Sequence, residues 1–86
     1  MTTFYFHTRD RESVLEDDQG QDFPDLICAI DEAKRILAEM AADGIPQRGG
    51  ERLVVEIARS DKVALVQLAL TMEIAYLALE QDTVKP

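Results

Sequence analysis

The 86-residue chain holds one histidine, His7, and one cysteine, Cys28, the side chains from which acid–base or nucleophilic chemistry at neutral pH is most readily built. His7 lies in Phe4-Tyr5-Phe6-His7-Thr8-Arg9, where the two-residue period of a strand puts Tyr5, His7 and Arg9 on one side. A phenol, an imidazole and a guanidinium in a row form a candidate ligand face suited to a small anion. The plainer account is a strand face covered by solvent or by a second copy. No second histidine or suitably spaced cysteine accompanies His7, so the spacing does not indicate a zinc-type metal site. Cys28 falls in the first turn of an expected helix, where the helix dipole lowers a thiol pKa. Its neighbours Leu26, Ile27 and Ile30 suit instead a small hydrophobe beside the core. A Cys28–His7 dyad would need an orienting third residue or an oxyanion feature, and the sequence points to neither.

Carboxylates cluster in Glu16, Asp17, Asp18, Asp22 and Asp25. They could attract a divalent cation but do not follow the Asp-x-Asp-x-Asp-Gly loop with its trailing glutamate, and a solvated acidic turn ending in a helix cap accounts for them. Gly49-Gly50 has no surrounding phosphate-binding pattern. Paired-carboxylate hydrolysis requires a cleft that so short a chain with one main helix is not expected to enclose. The expectation is therefore a non-enzyme with no catalytic residue, metal or cofactor.

Composition narrows the setting. Seventeen acidic against nine basic residues, a net charge of −8, argue against nucleic-acid binding, which draws its affinity from Lys and Arg displacing counterions. The length allows one domain over 1–86, and a chain this short hides only about 60% of its unfolded surface. Association with a partner is expected on that ground. A single cysteine gives no internal disulfide and suits a reducing cytoplasm. The N-terminus has no basic leader and reaches Arg9 and Asp10 too early for a signal-peptide core. Val63 to Leu79 is interrupted by Gln67, Thr71 and Glu73 and is shorter than the roughly 20 residues of a membrane span. A cytoplasmic protein away from membranes is expected.

Several elements must position these groups. Alternation predicts a strand over 3–9, a turn at Asp10-Arg11-Glu12 and a short returning strand over 13–16, followed by a polar loop over 17–22 in which Gly20 can turn left-handed. Pro24-Asp25 precedes Leu26, Ile30, Ala33, Leu37 and Met40, whose spacings of 4, 3, 4 and 3 predict an amphipathic helix over 26–43 capped by Asp25. On its outer face Asp31–Arg35 and Arg35–Glu39 can pair. Gly44, Ile45 and Pro46 suggest a Schellman stop. Leu53–Ala58 and Val63–Leu68 read as a hairpin around Ser60-Asp61-Lys62. Thr71 would then cap a short helix over 72–80; the alternative is one long helix from Ser60 to Glu80.

Taken together, Phe4-Tyr5-Phe6-His7-Thr8-Arg9-Asp10, Phe23-Pro24-Asp25-Leu26 with Glu32-Ala33, and Leu53-Val54-Val55-Glu56-Ile57-Ala58-Arg59-Ser60-Asp61 are familiar. The chain resembles, over most of residues 3–72, a family of small bacterial proteins known only as a domain of unknown function. The resemblance implies an α+β fold, ββαββ, with one helix on an antiparallel β-sheet, and it implies no activity. Two departures stand out: Arg11 replaces the family's usual glycine after Arg-Asp, and the stretch after Met72 is longer and more apolar. A shorter similarity, through Pro24-Asp25-Leu26 and Glu32-Ala33, is to HicB-like antitoxin domains. It implies a co-encoded basic toxin as partner.

The apolar residues after position 63 exceed what one helix can cover. Leu68, Leu70, Met72, Tyr76, Leu77 and Leu79 are the candidate interface, because uncovered apolar area of that extent marks association. The leading expectation is a non-catalytic interaction or regulatory module that forms a homodimer. The anion-binding face and the antitoxin-like role are the alternatives.

Overall fold

The computed structural model describes residues 1–44 and 51–78. In chain order the elements are β1 (Thr2–Arg9), β2 (Val14–Leu15), β3 (Gln21–Phe23), α1 (Leu26–Asp43), β4 (Arg52–Ala58) and β5 (Ala64–Thr71). All pairings are antiparallel, in the order β2-β1-β4-β5, with β3 also on β1. The fold is α+β, and the ββαββ pattern is roughly matched, with one additional short strand.

The helix begins and ends within the described chain for local reasons. Asp25, in extended backbone, accepts the Cys28 N–H at 2.9 Å and so satisfies one of the donors left orphaned in the first turn. At the other end Gly44 donates to the Met40 carbonyl at 3.1 Å, with φ 173. Its backbone is extended rather than left-handed, which corrects the expected Schellman geometry at Gly44; Ile45 and Pro46 lie outside the described residues. Arg35 bonds Glu39 as expected, but its other partner is Glu32, at 3.0 Å from Nε. Asp31 pairs with Lys34 at 3.9 Å instead. The guanidinium of Arg35 is taken up by the half-buried Glu32 and by Glu39.

The inward face of α1 carries fully buried Ala29 and Ala33, flanked by half-buried Leu26, Ile30, Ile36, Leu37 and Met40. Small residues at the centre let the helix axis approach the sheet, where Phe4, Phe6, Val55 and Ile57 form the floor. Phe23 closes one end, its ring edge-on to Phe6 at 5.9 Å and tilted against Phe4 at 6.5 Å.

The 17–22 stretch is a loop only in part. Gln21–Phe23 pairs with Thr2–Phe4, and Gly20 takes φ 75 to make the turn into that pairing. The hairpin after β4 closes through Arg59 N–H to Val63 O and Lys62 N–H to Arg59 O, both at 2.9 Å. Asp61 supports it by accepting Val63 N–H at 3.1 Å and the Arg59 guanidinium at 2.9 Å. Lys62 sits at φ 68, a left-handed position in a three-residue loop that favours glycine. Lys62→Gly is therefore expected to stabilise the hairpin by about 0.5–1 kcal/mol, read as a higher urea midpoint at unchanged slope.

The stretch from Ser60 is not one long helix. Its residues after Val63 form β5, which gives β4 a hydrogen-bonding partner on its second side and places Val66 and Leu68 against the core. Nor is 72–78 helical: Thr71 is the last residue of β5 rather than a cap. Ile74, Tyr76 and Leu77 stay exposed there, and propensity alone does not hold so short a helix. Residues 79 and 80, the end of the expected helix, lie outside the described residues.

Candidate functional site

The helix covers the sheet face that presents Phe4, Phe6, Val55 and Ile57. Alternation along β1 places Tyr5, His7 and Arg9 together on the opposite face, with Tyr5 level with Ala58, His7 with Glu56 and Arg9 with Val54. The sequence-derived row exists, and its chemistry is already engaged. His7 Nδ1 accepts the Asp17 N–H at 3.0 Å, so the imidazole carries its proton on Nε2 when this bond is made. The carboxylate of Glu56 directly across the ladder opposes an anion there.

Asp17 explains why the chain returns to β1 in two short pieces. β2 pairs with Thr8 and Arg9, and β3 with Thr2, Thr3 and Phe4. In the interval the Asp17 carboxylate accepts the Phe6 N–H at 3.1 Å, while also accepting Gln19 N–H at 3.0 Å and Gly20 N–H at 3.1 Å. A side chain thus completes an edge that backbone leaves open. Burial raises the Asp17 carboxyl, but the donors from Gly20, Phe6 and Gln19 outweigh it and hold the group below its ordinary value. Backbone donors of Glu12 and Ser13 lower Asp10, the Cys28 N–H lowers Asp25, and the Val63 N–H lowers Asp61.

A carboxyl lowered in the folded state contributes stability that is fully present above the unfolded value of about 3.9. That contribution is lost as pH falls through the lower folded value. Urea midpoints are therefore expected to drop between about pH 5 and pH 2, with Asp17→Asn less stable at neutral pH and shallower in its acid decline.

The remaining candidates separate. Cys28 lies on the helix, whereas His7 is on the sheet face turned away from it, so the two do not form a dyad. The bond to Asp25, burial and the charges of Asp25 and Asp31 raise the Cys28 thiol, the reverse of the lowering that a helix start can produce. Three of the five acids of 16–25 have individual tasks: Asp17 closes the edge, Asp22 accepts from Thr3 Oγ1, and Asp25 caps α1. Among the described residues no three His, Cys, Asp or Glu converge as a metal site. Arg11 reaches Glu51 at 3.5 Å while Asp10 organises the turn by accepting Glu12 and Ser13 N–H at 2.8 Å.

The apolar candidates lie on and beyond β5, the terminal strand of the sheet order. Among the described residues β5 pairs only with β4, so its other side presents free backbone donors and acceptors. Leu68 is half-buried and packs on the core. Leu70 is 37% exposed at the edge. Met72 is half-buried, Tyr76 and Leu77 are 60% and 95% exposed, and Leu79 lies outside the described residues. The sequence reading missed Val14 and Leu15 on β2, at 64% and 70% exposure, because a two-residue strand leaves too little pattern to show which side is covered. No helix among the described residues is long and apolar enough to cross a membrane.

Comparisons with curated proteins and with solved structures return no match. The family comparison covers β1 to the end of β5 and leaves out the residues from Met72 on. Residues 3–71 match the family described as Domain of unknown function (DUF6894), and the chain belongs to that family.

Proposed function

We propose that the protein is a non-catalytic interaction module that self-associates through the free edge of β5. The observation that carries this reading is the contrast between the two edges of the sheet. The β1 edge is occupied by β2, Asp17 and β3. The β5 edge is eight residues long, and Val63 to Thr71 contains no charged residue and no proline, two of the devices that protect an edge strand from pairing; the irregularity at Leu65 leaves Val66–Thr71 regular. In a chain of net charge −8, this is a stretch along which two copies approach without opposing like charges. The segment from Met72, with exposed Ile74, Tyr76 and Leu77, adds apolar area beside it.

The anion-binding alternative has weaker support, since His7 Nδ1 is occupied by the Asp17 N–H and Glu56 faces the ring. An antitoxin-like role rests on Pro24-Asp25-Leu26, where Asp25 is accounted for as a helix cap.

Light scattering at micromolar concentration is expected to give twice the mass of one chain. Ala69→Asp introduces a charge at an exposed edge position and is expected to yield folded monomers, weakening association by at least about a hundredfold. A monomeric wild-type protein, or an Ala69→Asp variant that dimerises normally, would remove the proposal.

A further inference from the structure

We infer that the occupant of the β5 edge is β5 of a second copy running antiparallel, and that charges at the two ends of the strand set this direction; the inference rests on the proposed self-association. The strand is bracketed by opposite signs. Before it lie Arg59 and Lys62, with Asp61 bonded to Arg59, and after it lies Glu73. Parallel pairing would set Lys62 beside the partner's Lys62 and Glu73 beside the partner's Glu73. Antiparallel pairing brings each Lys62 to the partner's Glu73, twice per dimer.

Sheet geometry limits the register. A two-fold axis normal to the sheet keeps each face on its own side, so residues level with each other belong to the same face. Val66, Leu68 and Leu70 share the core face, being level with Ile57, Val55 and Leu53. The ladder is irregular between Ile57 and Ala58, where Leu65 has no partner, which leaves Val66–Thr71 as the regular run. Centring the axis on Leu68 sets Val66 level with the partner's Leu70, and Gln67 level with the partner's Ala69. The half-exposed core-side leucines then complete one another across the axis, and both helices lie on one face of a continuous sheet. Lys62 comes level with the partner's Glu73 to within about one residue, ~3.4 Å along the strand, within reach of a lysine side chain.

The test compares full-length wild type, Lys62→Glu, Glu73→Lys and the double variant by sedimentation equilibrium at about 50 mM salt. Each single variant converts two attractive contacts into two repulsive ones and is expected to weaken the dimer about tenfold. The double variant restores opposite signs and should return to within about threefold of wild type, and the differences should collapse at about 0.5 M salt. Glu73 lies beyond β5 on exposed irregular chain, so Glu73→Lys reads association without disturbing the domain. Wild-type affinity in that variant, or a double variant no better than the singles, would overturn the antiparallel arrangement while leaving self-association standing. A monomeric wild type would overturn both.

Discussion

Gly20→Ala is expected to destabilise the domain by about 3 kcal/mol, combining roughly 1–2 kcal/mol for a left-handed alanine with the strain of overpacking. The backbone at Gly20 has φ 75. A Cβ there would meet Thr3 Cγ2 at 2.7 Å, Tyr5 Cε2 at 3.0 Å and the Phe4 carbonyl oxygen at 3.1 Å. The last of these belongs to the backbone of β1 and cannot move aside without disturbing the sheet. Gly20 N–H also donates to Asp17, so displacing this turn loosens the carboxylate that holds Phe6. Gly20→Asn separates the two effects, since asparagine tolerates the left-handed conformation but still carries the Cβ. Urea unfolding should rank wild type first, asparagine second and alanine last.

Ile57→Ala is expected to cost about 3–4 kcal/mol, through lost burial and an unfilled cavity. Ile57 is fully buried in the middle of β4, between Phe6 on β1 and Val66 on β5. A domain of this length has a total stability of about 4–13 kcal/mol, so the loss is a large share of the whole. The proposed pairing of β5 with a second copy would stabilise the folded chain by mass action, so on that proposal its urea midpoint should rise with protein concentration. Leu77→Ala is the matching control. Leu77 is 95% exposed, and its removal should leave the unfolding of the monomer unchanged.

What was legible in the sequence follows from which signals are local. The 4-3-4-3 spacing from Leu26 to Met40 and the cap at Asp25 are properties of one helix, and α1 spans Leu26–Asp43 as expected. Period-two alternation likewise located Tyr5, His7 and Arg9 on one face. Gln21–Phe23 was not legible as a strand because its place on β1 depends on backbone pairing and a single aromatic side chain, Phe23. The role of His7 was hidden for a similar reason: its partner is the main-chain N–H of Asp17, which carries no side-chain signature.

The excess of apolar residues after Val63 was visible, but its meaning depends on strand order. Only the order β2-β1-β4-β5 shows that this excess lies along an edge. The expected helix over 72–80 failed over its described part, where Ile74, Tyr76 and Leu77 stay exposed. Propensity was read where packing decides.

The pairing of two β5 edges is tested most directly by isotope-filtered NOE spectroscopy on a dimer assembled from differently labelled chains. Cross-peaks between chains should connect residues 66–70 of one β5 with those of the other, including Val66 to Leu70. Intermolecular cross-peaks confined to Val14 and Leu15, or to Tyr5, His7 and Arg9, would contradict it.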